Sequence, residues 1–402
     1  MQNASSSPST SPKALLAHPQ DPAPPSGAMI AEAAKRHGLK PFRMMRDMFT
    51  LRRGPGKLAS HEYFSTGAYH PDLSAAEKLT YVGRDGSYEI NIRLSPAALT
   101  EVRAFVRDKV MYTALLRQLG LPTTETQAVV SARRRFGNIT ALASPEAVEA
   151  FLCDTARYPL FAKPCEGAGS VGSALIRKMD REAGLLHLGN DTQVDLKSFC
   201  HEIFHDYPEG FLLQSAVDQH PAMKDMTGDA VGTIRLVTLR DAESCTPLYT
   251  IWKIPSPTAM SDNFWQTGSM IAEVDETGRV GRCKLGTGLQ AEWIDSHPIS
   301  GVTFEGFEIP HYAAIQQVAV EAHMLFPEFG ILGWDIAVGP DGPVIVECND
   351  NPYHVLWQNA TGQGALNSAF KARFDAAAAE SDAILKGKIA VFQERQKEKK
   401  RR

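Results

Sequence analysis

Hydrophobic and polar residues follow two different periods along this chain, and each period predicts a different element. Short runs that are apolar throughout or at every second position are typical of strands. We predict strands at LFAKP, SALIRK, GFLLQSAV, VGTIRLVTL, LYTIWKI, MIAEVD and in the two halves of GWDIAVGPDGPVIVECNDNP. Apolar residues three or four positions apart, such as Ile315, Val318 and Ala322, predict helices instead. We expect helices over Ser95–Leu119, 145–156, 195–205, 311–326 and from about 364 onward.

The order of these elements favours an α+β fold. Strands follow one another directly as often as they alternate with helices, which indicates antiparallel sheets rather than one doubly wound parallel sheet. Residues 28–68 show helical patterns with basic residues, and KLTYVGRDGSYEINIRL predicts a hairpin that turns at Asp85-Gly86. Residues 1–27 are rich in Ser and Pro with few groups to bury, which predicts a disordered tail.

Composition narrows the classes of protein. The 402 residues are 43% hydrophobic and 22% charged, with a formal net charge of −4 at pH 7. This balance gives no electrostatic reason to expect nucleic acid or an anionic membrane as the main partner. Six cysteines lie far apart with no C-x-x-C pair, which favours reduced thiols in a cytoplasmic protein. No apolar run approaches the roughly 20 residues that span a bilayer, so we expect neither export nor membrane insertion.

A glycine-rich stretch, FAKPCEGAGSVGSALIRK, contains G-x-G-x-x-G at Gly167, Gly169 and Gly172. In a dinucleotide-binding fold a helix would begin at these glycines, whereas the residues that follow alternate like a strand. The pattern favours a hairpin whose glycine tip brings backbone amides to phosphate oxygens, with Lys163 as a nearby cation. A flexible turn is the alternative. A protein kinase is disfavoured because H-R-D and D-F-G are absent.

The stretch CHEIFHDYP holds H-E-x-x-H at His201, Glu202 and His205, the signature of zinc proteases. That interpretation needs a helix that continues and a third ligand, yet Pro208 and Gly210 end the helix within a turn. We therefore favour surface histidines at a helix end and keep a zinc metalloprotease as a weaker alternative.

The stretch from Gly333 to Pro352 predicts a hairpin that carries two acids. Pro340-Asp341-Gly342 suits a three-residue loop. With that loop Gly339 faces Pro343, and Asp335 lies directly opposite Glu347. A loop one residue longer would shift this register.

These acids would share one face of the sheet with Asn349, because strand side chains repeat every two residues. Two carboxylates about 4 Å apart repel by roughly 4 kcal/mol at an effective dielectric constant near 20. The pair therefore shares a proton or holds a cation between its members. The amide oxygen of Asn349 favours a hard cation such as Mg²⁺.

Two further strand residues are candidates for binding. Arg235 lies in the apolar strand GTIRLVTL, where an unpartnered guanidinium would be costly, so it requires either a carboxylate or a phosphate. Gln214 ends the apolar run of EGFLLQSAVDQHP, where it suits the amino group of adenine. An ordinary buried strand is the alternative for that segment.

A lysine before a glycine loop, a strand suited to adenine, a strand arginine and D-x(11)-E-x-N follow in this order. Together they resemble the ATP-grasp superfamily over about 94–358. More narrowly, LLQSAVDQHPAMKDMTGDAVGTIRLVTL and ECNDNP resemble the sugar-transfer-associated branch, which is related to teichuronopeptide-biosynthesis and glutamate-ligase-like proteins. The resemblance implies two α+β lobes with antiparallel sheets that enclose ATP. We expect a disordered tail over 1–27, a helical and hairpin segment over 28–93, a first lobe over 94–213, a second lobe over 214–390 and a basic tail over 391–402.

The same resemblance implies a role for each candidate residue. The residues implied to bind ATP are Lys109, Lys163, Gly167, Gly169, Ser170, Gly172, Gln214, Val217, Asp218 and His220. Arg235 would steady the transferred phosphoryl group, and Lys253 would lie toward the acceptor. The residues implied to bind Mg²⁺, with Mn²⁺ as an alternative ion, are Asp335, Glu347 and Asn349. Gln214 is a departure, since the superfamily often has an acid there.

The implied activity is that of an ATP-dependent carboxylate-amine ligase that forms an acyl phosphate, in polysaccharide, peptide or secondary-metabolite biosynthesis. Its partners would be ATP, a carboxylate and an amine, without nucleic acid or membrane. A small-molecule kinase that phosphorylates a hydroxyl and a non-catalytic protein that keeps the fold are the alternatives.

Overall fold

The computed structural model describes residues 25–166 and 172–401, with side chains up to residue 398. These residues form two compact units, 125–216 and the combination of 25–124 with 217–401. Residues 94–124, which we expected in the first lobe, belong to the larger unit. None of the described helices combines the length and the apolar character needed to cross a bilayer.

The helices occupy both ends of the described part of the chain and several connections between strands. In chain order they are α1 Ser26–His37, α2 Pro41–Arg53, α3 Ser60–Ser65, α4 Ala75–Lys78, α5 Arg84–Leu94, α6 Arg103–Arg107, α7 Lys109–Gln118, α8 Pro145–Asp154, α9 Leu196–His205, α10 Pro221–Thr227, α11 Tyr312–Met324, α12 Val355–Thr361 and α13 Ser368–Arg401. A short 3-10 helix covers Gly288–Gln290.

The strands fall into two sheets. In chain order they are β1 Thr126–Val130, β2 Thr140–Leu142, β3 Leu160–Pro164, β4 Ala174–Asp180, β5 Leu185–Leu188, β6 Gln193–Asp195, β7 Phe211–Ser215, β8 Ile234–Arg240, β9 Cys245–Ile254, β10 Met270–Val274, β11 Val280–Leu285, β12 Glu292–Ile294, β13 Ile331–Gly339 and β14 Gly342–Asn349. Each strand that we predicted between residues 160 and 349 is present.

The smaller unit is built on a seven-stranded sheet in the order β2-β1-β7-β3-β4-β5-β6. Its pairs are antiparallel except for β1 and β2, which run parallel. Helix α8 begins at Pro145, and the Ser144 hydroxyl caps it by accepting a hydrogen bond from the Ala147 amide. Helices α8 and α9 contact each other, and each carries a buried apolar face that includes Phe151 and Phe199.

The larger unit is built on a seven-stranded sheet in the order β12-β11-β10-β9-β8-β13-β14, and its pairs are antiparallel. Side chains such as Trp334 and Ile336 bury one face against α7, α10 and α11. Side chains such as Ile331 and Ile251 bury the other face, which we call the α12 face, against α5, α12 and α13. The two antiparallel-rich sheets with flanking helices confirm the predicted α+β class.

The N-terminal helices α1, α2 and α3 share a separate core that includes Met44, Leu51, Tyr63 and Phe64. This confirms the helical prediction for that part of the chain. All six cysteines are free, as expected for reduced thiols.

The predicted hairpin at Asp85-Gly86 is wrong, because these residues begin helix α5. Alternating apolar residues suggested a strand, but the buried polar residues Ser87 and Asn91 lie one helical turn apart. Gly86 sits against Gly56, whose carbonyl oxygen would be 2.1 Å from a Cβ at position 86. A tertiary contact therefore overrides the local turn signal.

The helix predicted over Ser95–Leu119 is interrupted. Only Arg103–Arg107 and Lys109–Gln118 are helical, and Asp108 separates them as the N-cap of α7. Ser95 instead directs its hydroxyl to the backbone amide of Gly330, which attaches this segment to the start of β13.

The β13–β14 hairpin has the predicted register with a different loop. Gly339 pairs with Gly342, so the loop has two residues rather than three, and Gly342 takes a φ of +141°. A bulge at Val346 then adds one residue to β14, and Asp335 lies opposite Glu347 as predicted.

Candidate active site

The carboxylate of Asp335 is held by cations from β8, which pairs with β13, and from β9, the next strand in the sheet. Arg235 lies directly across from it on β8 and donates from Nε to Oδ1 at 2.5 Å and from Nη2 to Oδ2 at 2.8 Å. Lys253 on β9 places Nζ 3.2 Å from the same Oδ2. The exposed fractions of these three side chains are 5%, 8% and 9%. We predicted that Arg235 pairs with either a carboxylate or a phosphate. In this structure its partner is the carboxylate of Asp335.

The ionisation of these groups is coupled. Burial alone would raise the pKa of Asp335, but the charges of Arg235 and Lys253 outweigh burial and hold the pKa well below its ordinary value. Burial likewise opposes the charged form of Lys253, and the carboxylates of Asp262 and Asp335 raise its pKa above the ordinary value. All three groups are therefore charged at neutral pH.

Asp262 is a member of this site that the sequence did not reveal. Its carboxylate lies 3.1 Å from Lys253 Nζ and accepts hydrogen bonds from both the backbone amide and the hydroxyl of Thr233. It comes from the connection between β9 and β10, and no strand pattern or motif marks it in the sequence.

Glu347, on the edge strand β14, contacts a different cation, Lys109. Lys109, the first residue of α7, places Nζ 3.2 Å from Glu347 Oε1. The Glu347 side chain is 31% exposed, whereas that of Lys109 is 9% exposed. Asn349, on the same strand face, donates from Nδ2 to Asp335 Oδ2 at 3.4 Å.

The site thus contains three cationic and three anionic side chains in one network: Lys109, Arg235, Lys253, Asp262, Asp335 and Glu347. We expected a proton or an added cation between Asp335 and Glu347. That expectation was incomplete, because the protein supplies separate cations to each carboxylate from α7, β8 and β9. These partners are remote in sequence, so the hairpin alone could not reveal them.

The donor set of this network fits a hard divalent cation in part. The Glu347 carboxylate is partly exposed. Asn349 uses its amide nitrogen to bind Asp335, and its amide oxygen is a separate group. Carboxylate and amide oxygens are both ligand types that Mg²⁺ takes. Both oxygens of Asp335 already accept from Arg235 or Lys253. No cluster of three or more His, Cys, Asp or Glu side chains arranged for a metal occurs among the described residues. A metal here would therefore depend on oxygen ligands from a phosphate or water.

The nucleotide-binding candidates of the smaller unit lie on its sheet. Lys163 on β3 and Gln214 on β7 are both buried. Gly172 has a φ of +78°, and a Cβ there would lie 2.3 Å from the hydroxyl of Tyr207, so a side chain would be strained and would have to displace that ring. Gly167, Gly169 and Ser170 lie outside the described residues.

The remaining candidates precede helix α10 in the larger unit. His220 binds Val338 O through its backbone amide at 2.7 Å, and its Nδ1 accepts from the Ala222 amide at 3.2 Å. This ring therefore caps α10. Asp218 is exposed and Val217 is half-buried.

The H-E-x-x-H segment forms the C-terminal half of α9, and that helix ends at His205 as the sequence predicts. The rings of His201 and His205 are 4.2 Å apart between centroids, and Glu202 is buried.

A buried polar chain fixes the loop that follows β14. Asn91 on α5 donates from Nδ2 to Asn351 Oδ1 at 2.6 Å and to Pro352 O at 2.9 Å. His354 links Asn91 Oδ1, at 3.0 Å, to the Tyr249 hydroxyl, at 3.1 Å. Burial lowers the pKa of His354 to about 3, so its ring is neutral at physiological pH. The sequence did not reveal these hydrogen-bonded residues, because Asn91, Tyr249 and His354 are far apart along the polypeptide.

The fold and the order of these residues along the chain are those of an ATP-grasp protein. Residues 96–372 match the family described as sugar-transfer associated ATP-grasp, and this chain belongs to that family. No curated protein sequence matches it.

Solved structures with a similar course of the chain include two ligases and a biotin carboxylase domain. The D-alanine-D-alanine ligase of Coxiella burnetii is 15% identical with a TM-score of 0.42, and the match covers 73% of this chain and 62% of that one. The biotin carboxylase domain of Hydrogenobacter thermophilus 2-oxoglutarate carboxylase is 12% identical with a TM-score of 0.39, over 69% and 46% of the two chains. The L-amino acid ligase of Bacillus licheniformis is 14% identical with a TM-score of 0.34, over 71% and 52%. This chain therefore spans less than two thirds of each of these proteins, and the family match alone identifies it.

Proposed function

We propose that this protein is an ATP-dependent carboxylate-amine ligase. The observation that carries the proposal is the charged network in which Asp335, Glu347 and Asn349 share one strand face beside Arg235, Lys253 and Lys109. Membership of an ATP-grasp family supports ATP as the phosphoryl donor.

In the proposed reaction a substrate carboxylate oxygen attacks the γ-phosphorus of ATP. The bond from that phosphorus to ADP breaks, and an acyl phosphate forms. An amine then attacks the acyl carbon, phosphate leaves with the bonding electron pair, and the nitrogen loses a proton. Such a reaction depends mainly on positioning and charge neutralisation, which a network of fixed cations supplies.

Each unit contributes its own residues to the proposal. In the larger unit, Arg235 and Lys109 are proposed to neutralise phosphoryl oxygens, Lys253 to face the acceptor, and Glu347 and Asn349 to hold Mg²⁺ or Mn²⁺ together with Asp335. A bound divalent ion would supply further neutralisation of phosphate charge. In the smaller unit, Lys163 and Gln214 are proposed to bind the nucleotide.

The arrangement of charges supports an exchange of partners. Each cationic side chain of the network contacts a carboxylate, so these cations are already paired before substrate binds. When phosphate oxygens arrive, Lys109 can transfer from Glu347 to phosphate, which frees the Glu347 carboxylate for a metal. A substitution at Glu347 should therefore affect metal-dependent turnover more than folding.

The test is Glu347→Gln, assayed by Mg-dependent ADP release and by hydroxamate formation with hydroxylamine over a panel of carboxylic acids. We expect turnover to fall by about 100-fold or more, as for other single electrostatic groups in active sites. Glu380→Gln is the matched control, because that side chain is 24% exposed beside Arg240 and lies far from the network in sequence. Full activity of E347Q would contradict the metal assignment. ADP release with a phosphorylated alcohol and no hydroxamate would replace the ligase by a kinase.

A further inference from the structure

A surface pocket of about 640 Å³ lies beside the loop that follows β14. Its lining consists of Arg52, Lys57, Arg84, Asp85, Tyr88, Glu89 and Asn351. Apart from Asn351, these residues precede the segment that matches the family, 96–372. The pocket is therefore a feature that the N-terminal helices of this chain add to the shared fold.

The charges in this pocket leave one cation available. Arg52 pairs with Asp85 at 2.9 Å, and Lys57 contacts Glu89. Within the part of the chain that the structure describes, no carboxylate forms an ion pair with the guanidinium of Arg84. The pocket thus has a net positive charge, and its uncompensated group has the planar donor geometry that matches a carboxylate or a phosphate.

The backbone that carries Arg84 is held in place by close contacts. The buried carboxylate of Glu62 accepts hydrogen bonds from the Arg84 amide at 2.6 Å and from the Tyr353 hydroxyl at 3.2 Å, which joins the start of α5 to the loop after β14. A Cβ at Gly83 would lie 2.1 Å from Glu62 Oε2. These contacts fix the backbone position from which the exposed Arg84 side chain extends.

Helix α5, which carries four of the lining residues, packs on the face of the larger sheet that also bears the charged network. Asp335 lies four residues from Ile331 and Lys253 lies two from Ile251, so both point toward the α12 face. Helix α5 packs on that face through Leu94. Asn351 follows Asn349 by two residues, so their Cα atoms are at most about 7 Å apart.

We propose that this pocket binds the anionic group of the amine acceptor, a carboxylate or a phosphate, with Arg84 as its anchor. The proposal rests on the ligase function, since only a ligase has an amine acceptor. The location predicts the orientation of that substrate: its anion is held by the N-terminal segment while its amine reaches toward Asn349 and Glu347. Acceptor specificity would then reside in residues 52–89, outside the matched family segment.

Direct binding of simple anions tests this proposal without the unknown acceptor. The probes are [1-¹³C]acetate and inorganic phosphate, followed by ¹³C and ³¹P line broadening on the full chain with excess Mg-ADP present. We expect saturable broadening that weakens about tenfold or more in Arg84→Gln, because a charge-assisted hydrogen bond is lost. Arg84→Lys should keep part of the affinity, since it retains the charge but not the fork of donors.

Arg43→Gln is the matched control, because Arg43 is an exposed arginine of α2 outside the pocket lining. It should bind the probes within about twofold of the unchanged protein, since it loses the same charge elsewhere. Equal binding by R84Q and the unchanged protein would overturn the pocket assignment. Broadening by acetate alone identifies a carboxylate, and broadening by phosphate alone identifies a phosphate.

The outcome is separable from that of the ligase proposal. Arg84-dependent binding in a protein that releases no ADP would support the anion site and count against the ligase. Hydroxamate formation together with Arg84-independent binding would support the ligase and overturn the pocket.

Discussion

Replacing Asp335 by Asn tests whether the buried ion pairs are structural as well as functional. The substitution keeps the size of the side chain but removes the charge that Arg235 and Lys253 share. Both cations are at most 9% exposed, so solvent cannot replace the lost carboxylate. Removing one partner of a buried pair costs about 3–5 kcal/mol because the remaining charge is uncompensated. With a urea slope of about 3 kcal/mol/M, the unfolding midpoint should fall by about 1–1.7 M.

Tryptophan fluorescence is a suitable assay for this effect. All five tryptophans of the chain (252, 265, 293, 334 and 357) lie in the larger unit, and Trp334 is adjacent to Asp335. The signal therefore reports unfolding of the unit that contains the network. Glu347→Gln provides the comparison. Its side chain is 31% exposed, so its loss should destabilise the larger unit less than the loss of the buried Asp335 carboxylate.

The pH dependence of the free energy of unfolding is a second test of the Asp335 ion pairs. Since Arg235 and Lys253 hold the pKa of Asp335 below its unfolded value of about 3.9, the contribution is complete above that pH and is lost as the pH falls below it. The D335N protein should lack this component. A midpoint within about 0.3 M of the unchanged protein, with unaltered acid sensitivity, would refute the argument that these charges depend on one another.

Two other positions give independent tests. Gly172→Ala should destabilise the smaller unit by about 2 kcal/mol or more, because an alanine would take a positive φ and contact Tyr207. Hydrogen exchange in β4 measures this, and Gly137→Ala, at a φ of +63° with open space around it, should cost less. His354 should remain neutral from pH 5 to 8 in histidine NMR spectra, since burial lowers its pKa to about 3. Stability should then decline as the pH falls from about 6.5, where the unfolded histidine becomes protonated, and a His354 resonance that titrates near pH 6 would contradict this.

Sequence patterns predicted most of the strands from residue 160 onward and the helices within 28–68, but not helix α5. The alternation around Asp335 and Glu347 persists over whole strands, so a different turn and a compensating bulge left their pairing unchanged. Helix α5 was missed because Gly86, a turn signal in sequence, is required by its contact with Gly56. The interruption at Asp108 depends on a cap that a run of helix-forming residues conceals.

The sequence by itself determined the α+β class, the ATP-grasp resemblance and the carboxylate pair on one strand face, because these follow from local periodicity and the order of motifs. Only the tertiary structure decided which cations accompany that pair. Arg235 is 100 residues from Asp335 in sequence, and Lys109 and Glu347 are farther apart still. The partners of a buried charge are set by which strands and helices become neighbours, and pairing of distant segments leaves no periodic trace along the chain.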